Sequence, residues 1–579
     1  MKKEFIAIIL AFFFGVTPLA AQEISKATLA AHPRILLHKG DVTAMRAMKH
    51  TSENARFVDD KILTAAIDVL ADAPLTVSAL QERDIASNVQ HRIMTLAYAF
   101  VMTEDMEYAR RAERDMLTIS TLGGWAQADC DLIAEYTAAL SLGYDWLYHS
   151  LPVHSRSIIG TAIYERGLRP MAVKDNAEIS DQQWQALLYG ALATMERSPE
   201  FCEQIVRRVV AHCNEIVSNE DVASTSLNNL ADDLTHRVTL LASLHSALGE
   251  NCGVSVPDSF MRNAEYLDFM VAPSFTTCNF GGTELSAPVL PVKYWFASQQ
   301  GNASLVAVDE QLLRSKVLPS AEDMPMYMIF SSSLDFTKRT KRNNSWTEKG
   351  EQPLYIYRSG WGNSSDTYFA IKGGGASGAN SYSDGGAFIF EWNGIRWAVD
   401  PEGEKRGAEW HNTIYAIGAT HASQQGATLI DSFTTAARKG AVVDLSPLAA
   451  SWAKSLTRTA ELDKKDCLKI SDHIFMGAAA QDVEWQIMTY AKPEIAGPSL
   501  VKLSQDGQDI YLRLHCKNRS TIVIEDCDDA NGLKRVGFRI EAKGGQLIDV
   551  VVDITPSRNN NILGRLREKF KRGDAVVKR

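Results

Sequence analysis

The spacing of hydrophobic residues along this chain changes near residue 325. Before that point apolar side chains recur at helical steps. Leu132, Tyr136, Ala139, Gly143 and Leu147 follow one another at intervals of four, three, four and four, which draws one apolar face. Tyr144-Asp145-Trp146-Leu147 and then Leu151-Pro152 close that helix, because proline cannot continue it. Asp181-Gln182-Gln183-Trp184-Gln185 begins another helix, and 228–248 reads as a further one. After Met324-Pro325 short runs of β-branched and aromatic residues take over, at 354–358, 367–371, 388–392, 428–433 and 441–445. They continue at 468–474, 510–514, 521–525, 536–540 and 547–554. Turn residues separate these runs and no helical pattern alternates with them, so stacked antiparallel sheets are expected and a parallel βαβ fold is not.

Within the β half, the stretch from Lys372 to Thr413 concentrates glycine and polar residues. It reads Lys372-Gly373-Gly374-Gly375, then Asn380-Ser381-Tyr382-Ser383-Asp384-Gly385-Gly386. The strand-like runs 387–392 and 395–400 follow, separated only by Asn393-Gly394, a pair that tolerates positive φ at both turn positions and so signals a hairpin. Asp400 ends the second arm, and His411-Asn412-Thr413 opens the next strand. Taken alone, the pattern suits either a glycine-rich turn region or a backbone brought close to a ligand.

Lys372-Gly373-Gly374, Asp384, the 388–392 strand, Arg396-Trp397-Ala398-Val399-Asp400 and His411-Asn412-Thr413 together resemble the heparinase II/III-type polysaccharide lyases. The resemblance extends through the first half. His32-Pro33-Arg34-Ile35-Leu36-Leu37 is similar to the family's opening segment, and Tyr144-Asp145-Trp146-Leu147 to its Tyr-Asp-Trp-Leu. The segment 269–295, with Ala272-Pro273-Ser274 and Asn279-Phe280-Gly281-Gly282, is similar to a Gly-Pro-x-Gly-x-x-Phe-Asn-Tyr stretch. This implies an (α/α) toroid-like helical domain over 22–325, an antiparallel β-sandwich over 326–560, and a cleft between them. It also implies a lyase that cleaves an acidic, uronate-containing glycan by β-elimination.

The sequence departs from the family at its chemical residues. Aligned on Asp384, the family's His-x-His falls on Asn380 and Tyr382. Gln183 stands where the family has the Asn that neutralises the substrate carboxylate. The helix 228–248 contains no counterpart of the family's Tyr; it offers Asp233, His236 and Arg237 on one face. The resemblance therefore assigns Gln183, His236 and Tyr382 to catalysis, and Asp233, Arg237, Trp184 and Asn380 to substrate binding. Asp400 and His411 are what remains of a metal site, with Tyr382 a poor third ligand and His421 a distant substitute. No cofactor is required on this reading; zinc is the one candidate. Plainer readings stay open beside it. Gln183 also suits a helix surface, Asp233, His236 and Arg237 a salt-bridged face, and Trp125, Trp184, Trp361, Trp392 and Trp410 either sugar platforms or core. A glycoside hydrolase would need two opposed carboxylates, with Asp232 or Asp233 and Glu284 or Asp384 as candidates. The alternative outside catalysis is a degenerate paralogue that binds glycans.

Composition narrows the partners. The 579 residues are 45% hydrophobic and 22% charged, ordinary for globular domains and too many for one core. A net charge of −10 argues against general nucleic-acid binding. Met1-Lys2-Lys3, an apolar run over 5–16 and Leu19-Ala20-Ala21 form an expected export signal at 1–21, too short for a membrane span. The periplasm is the expected compartment, with secretion as the alternative. The eight cysteines include no Cys-x-x-Cys pair, so a zinc ribbon is not expected. The end of the chain, 561–579, reads as a basic tail.

Overall fold

The structure, a computed structural model, describes residues 29–556 apart from 124, 126–129, 219–226, 250–251, 351, 375–382, 404–406, 420–425, 466 and 530. The expected export signal and basic tail lie outside the described residues, as do Asn380, Ser381, Tyr382 and His421.

The chain is helical through its first half and built of antiparallel strands in its second, as the change of period predicts. The last α-helix is Met324–Ser332, with Pro325 in its first turn, where the missing N–H has no intrahelical partner to lose. Two compact units form, one from 29–47, 60–218 and 236–256, the other from 48–59, 227–235 and 257–556. Among the described residues no helix is long and apolar enough to cross a membrane. All eight cysteines are free thiols.

Four helices carry the candidate residues of the first half: α1 (Cys130–Trp146), α2 (Asp181–Ala193), α3 (Pro199–Ser218) and α4 (Leu227–Leu248). Ser180 caps α2 by accepting from the Gln183 N–H. In the first unit α1 is organised by one buried carboxylate. Asp145 is 0% exposed, its Oδ2 accepts from the backbone N–H of both Arg34 and Ile35 at 2.8 Å, and its Oδ1 meets His32 Nδ1 at 2.5 Å. The neighbouring Trp146 indole donates to the Ile35 carbonyl at 2.9 Å, and Trp146 is a packed core residue. Arg34 is held in turn by Glu196, each guanidinium nitrogen at 2.7 Å from a carboxylate oxygen. A buried carboxylate without partners costs several kcal/mol, so the opening segment and α1 hold together through these bonds.

The second unit holds seventeen strands among the described residues. The first five are β1 (Ser345–Glu348), β2 (Leu354–Arg358), β3 (Tyr368–Lys372), β4 (Phe388–Trp392) and β5 (Ile395–Ala398), and they form a meander in that order. The β4–β5 turn has Asn393 at φ 54° and Gly394 at φ 80°, the left-handed pair that Asn-Gly predicts. The next six are β6 (Ile414–Ala416), β7 (Thr428–Thr434), β8 (Arg438–Asp444), β9 (Ala453–Asp463), β10 (Leu468–Met476) and β11 (Val483–Thr489). The last six are β12 (Lys492–Gly497), β13 (Leu500–Gln505), β14 (Gln508–His515), β15 (Ser520–Asp526), β16 (Lys534–Ile540) and β17 (Leu547–Thr555). An eight-stranded sheet runs β12-β13-β14-β17-β10-β9-β8-β7, and a four-stranded sheet β15-β16-β11-β6. All three sheets contribute to one core, around Trp397 and Phe388 of the first sheet and Trp485 and Phe538 of the four-stranded one.

The helical arm 257–332 belongs to this second unit and is tied to its first sheet. The Tyr368 hydroxyl donates to the Phe269 carbonyl at 2.7 Å, and Arg358 Nη1 to the Val271 carbonyl at 3.1 Å. Strands β1, β9, β11, β12 and β13 are absent from the sequence reading. In β11 apolar and polar residues alternate from Val483 to Ile487, yet every residue is buried, Glu484 and Gln486 included. In β9 an inward position holds Arg458, which lies opposite Asp472 of β10 and pairs with it through two bonds of 2.7 and 2.8 Å.

Replacing Asp145 by Ala leaves His32 and two backbone N–H groups buried without their acceptor. The expected loss is about 3–5 kcal/mol, read as a lower urea midpoint of unfolding. An unchanged midpoint would show that the opening segment is held by packing alone.

Candidate functional site

The glycine-rich stretch of the second unit is a buried polar joint. Lys372 ends β3, and its Nζ donates to Asp384 Oδ2 at 2.6 Å; Asp384 is 1% exposed. Gly374 has φ 88°, and a Cβ there would meet the Gly385 Cα at 2.9 Å, so the chain can double back at this point only with glycine. Asn412 joins three strands. Its amide nitrogen donates to the Phe388 and Val399 carbonyls at 2.6 and 2.9 Å, and its oxygen accepts from the Met488 N–H. Thr413 Oγ1 donates to the Gly385 carbonyl, and Arg458 Nη1 to those of Gly386 and Asn412. On the hairpin, Arg396 binds Glu391 at 2.6 Å and reaches Thr276, Thr277 and Asn279. The Asn279 amide donates to the Asp400 carbonyl. The segment 272–282 is thus fixed over β4 and β5.

Asp400 and His411 meet as expected, with His411 Nδ1 at 2.8 Å from Asp400 Oδ1 and both side chains buried. Burial raises the Asp400 carboxyl. His411 is raised as well, since the carboxylates of Asp400 and Asp384 outweigh the burial that would lower it. Asp400 Oδ2 is buried and makes no hydrogen bond. As a test of zinc, the donors do not complete a set. Two ligands are present where a zinc site takes three or four, and no group of three His, Cys, Asp or Glu side chains converges among the described residues. Asp384, offered above as a hydrolase carboxylate, is buried against Lys372 and is not available to a glycosidic bond.

In the first unit the structure gathers most of the helical candidates around one histidine absent from the sequence reading, His212 of α3. Its ring stacks on Trp184 of α2, with centroids 4.4 Å apart and planes 12° off parallel. His236 and Arg237 of α4 lie within its electrostatic reach, as do Asp181 and Glu215. Burial, reinforced by Arg237 and His236, holds the His212 imidazole below its ordinary 6.5 against the pull of those two carboxylates. The Nε2 atoms of His212 and His236 are both buried and make no hydrogen bond among the described residues. Gln183, beside Trp184, is 4% exposed. It donates to Asp131 Oδ1 and accepts from Lys174 Nζ, each at 3.2 Å, so a cation stands next to the expected amide. Arg237 Nη1 donates to the Ile216 carbonyl at 2.7 Å. Asp233 is half-buried on α4 and has an interaction of its own.

Two expectations are corrected here. Gln183 is not a surface glutamine, because the α2 cap turns it inward between Asp131 and Lys174. Trp184 is not a sugar platform: it is 1% exposed, with His212 over its ring and the Arg208 guanidinium 5.8 Å from its centroid. Trp125 is likewise buried, and Trp361 has the guanidiniums of Arg342 and Arg358 at 3.1 and 3.5 Å from its centroid. His212 carries no spacing signal in the sequence, and α3 reads as plain amphipathic helix, so this histidine emerges only from packing.

No protein-family model matches the chain, and no curated protein matches it by sequence. Solved structures do. Heparan sulfate lyase HepC from Pedobacter heparinus superposes with a TM-score of 0.60 at 15% identity, covering 82% of this chain and 77% of its own. A heparinase III gene product gives 0.58 at 13% identity, covering 90% and 84%. A Paenibacillus xanthan lyase gives 0.52 at 10% identity, covering 90% of this chain and 60% of that one. The chain has the fold of these polysaccharide lyases.

Trp184→Ala is expected to act through the core. Stability should fall by about 3–5 kcal/mol in urea unfolding, as for other buried aromatic truncations. A variant that unfolds like the parent but loses glycan affinity would restore the platform reading.

Proposed function

We propose that this chain is a polysaccharide lyase that cleaves an acidic, uronate-containing glycan by β-elimination. The observation that carries the proposal lies in the first unit, where a histidine that burial keeps neutral stacks on Trp184 with His236 and Arg237 in its electrostatic reach, and where Gln183, next to Trp184 in the chain, is bonded to Lys174.

The C5 proton of a uronate is weakly acidic, and its removal places charge on the adjacent carboxylate. Gln183 and Lys174 are assigned to neutralise that charge, which stabilises the enolate-like intermediate. A neutral imidazole then takes the C5 proton; His212 is suited because burial keeps it unprotonated, and His236 is the second candidate. The electron pair forms the C4–C5 double bond as the C4–oxygen bond breaks, and the leaving oxygen receives a proton. Arg237 and Asp233 are assigned to substrate binding. Asn380 and Tyr382 remain candidates from their positions in the glycine-rich motif, and lie outside the described residues. No step is assigned to a metal. Export to the periplasm, with release from the cell as the alternative, is proposed from residues 1–21. The replacement of the family's histidines by Asn380 and Tyr382 favours one other reading, a glycan-binding protein without turnover.

Incubation with a panel of uronate polymers, followed by ultraviolet absorbance, tests the reaction, since elimination creates a conjugated unsaturated uronate and hydrolysis does not. Gln183→Ala should lower kcat by about 10²–10³-fold, the usual cost of losing one charge-stabilising donor. His212 has a lowered pKa in the folded protein, so its neutral form is kept at and above pH 6.5 and lost as pH falls through the lower value. The acidic limb of kcat/KM should therefore lie below pH 6.5. Binding without any unsaturated product would favour the non-catalytic reading.

Elemental analysis of purified protein is expected to find zinc far below one equivalent, because Asp400 and His411 alone make a weak site. Stoichiometric zinc that disappears in His411→Ala would overturn this.

A further inference from the structure

We infer that the second unit carries an additional glycan site, a cavity between the helical arm and the segment 338–343 that takes an acidic saccharide through its carboxylate or sulfate groups. The acidity of the ligand rests on the lyase reading; the site rests on its own residues. The cavity has a volume of about 490 Å³, within the range of sites that hold small ligands. None of the residues assigned above to catalysis or binding lines it.

Charge is the first argument. Lys338, Arg339, Lys341 and Arg342 place four cations in five residues of a chain whose net charge is −10. Arg262, Lys341 and Arg342 line the cavity, and the first two are exposed. Asp268 pairs with Arg342, while Arg262 and Lys341 stay in solvent, where they draw an anionic chain.

Preorganisation is the second. The Ala303 N–H donates to the Lys338 carbonyl at 2.8 Å, and the Thr340 N–H to Ser304 Oγ at 3.1 Å, so the basic segment is pinned to the loop beside it. Arg342 is fixed more tightly. Its Nη2 binds Asp268, its guanidinium lies 3.1 Å from the Trp361 ring centroid, and Trp361 is anchored by its indole N–H to the Asn343 carbonyl at 2.8 Å. Arg358, 3.5 Å from the same centroid, must take the opposite face, since two guanidiniums at these distances cannot share one. Arg342 Nη1 is buried and has no hydrogen-bond partner. Held this firmly, Arg342 adds a fixed positive charge to the cavity wall, and Lys341 and Arg262 supply the accessible donors.

The remaining lining selects a saccharide over a bare anion. Asp258 can accept from hydroxyl groups and the Gln299 amide can accept and donate, while Gln300 is engaged with the Met261 carbonyl and Glu265 with Asn343. Carboxylate and sulfate groups present the same chemistry to an arginine, so the test separates them.

The test titrates the full chain by calorimetry in a Gln183→Ala background, so that the ligand is not consumed. The probes are a heparin hexasaccharide, a hexagalacturonate carrying carboxylates only, and a neutral dextran fragment. Binding of at least one acidic probe is expected, with no binding of dextran. Arg262→Glu with Lys341→Glu, both exposed side chains, should weaken that binding at least tenfold, and Lys341→Ala severalfold should the double variant fold poorly. Heparin binding alone would identify sulfate as the recognised group, and binding of both probes would identify carboxylate. Affinity within twofold of the parent in these variants, or no binding of either acidic probe by the parent, would overturn the inference. Ultraviolet assay of the same charge reversals in the otherwise unaltered chain keeps the two proposals apart. Charge-sensitive binding without unsaturated product would leave this site standing and the lyase reading refuted; cleavage with charge-insensitive binding would do the reverse.

Discussion

The side chain of Asn412 is the joint on which the second unit depends. One amide closes two carbonyls and one N–H on three different strands, β4, the end of β5 and β11. No other uncharged side chain could satisfy two acceptors and one donor at once from so small a volume. Each of those backbone groups is buried and would otherwise cost as much as a lost hydrogen bond. Once the joint is made, Asp400 and His411 are fixed on either side of it, and Thr413 holds the Gly385 turn.

The first unit uses the same physics with a charge. Asp145 gathers two N–H groups and an imidazole from the opening segment, so a stretch with no secondary structure of its own is held against α1. The motifs that resemble the lyase family, His32-Pro33-Arg34, Tyr144-Asp145-Trp146, Lys372-Gly373-Gly374, Asp384 and His411-Asn412-Thr413, are in large part these clasps. They specify how the chain folds. The fold is shared with these lyases at only 13–15% identity.

The residues proposed for chemistry are a different set. Packing brings His212, His236 and Arg237 together, and a separate pair of bonds joins Gln183 to Lys174 and Asp131. A base need only be neutral, close and unspent, and several helices can supply one. Fold and reaction can therefore be carried by residues that vary independently, which is why the functional assignment rests on the cluster and its assays and the fold does not.

The sequence by itself determined the two classes of structure, their order along the chain, and the Asn393-Gly394 hairpin. These depend on local period and turn chemistry, which are properties of neighbouring residues. The last helix runs on to Ser332, past the change of period near 325. That Asp400 and His411 meet is implied by the resemblance to the lyase family, and the structure brings them together. The sequence did not determine that both faces of β11 are buried, Glu484 and Gln486 included, or that Arg458 of β9 points inward, where Asp472 on the next strand makes it tolerable. Tertiary structure alone decided that Gln183 turns inward, that Trp184 is covered, and that His212 joins α2 to α4. Each of these depends on a partner distant in sequence, and whether a polar side chain is spent, buried or available is set by what lies across from it.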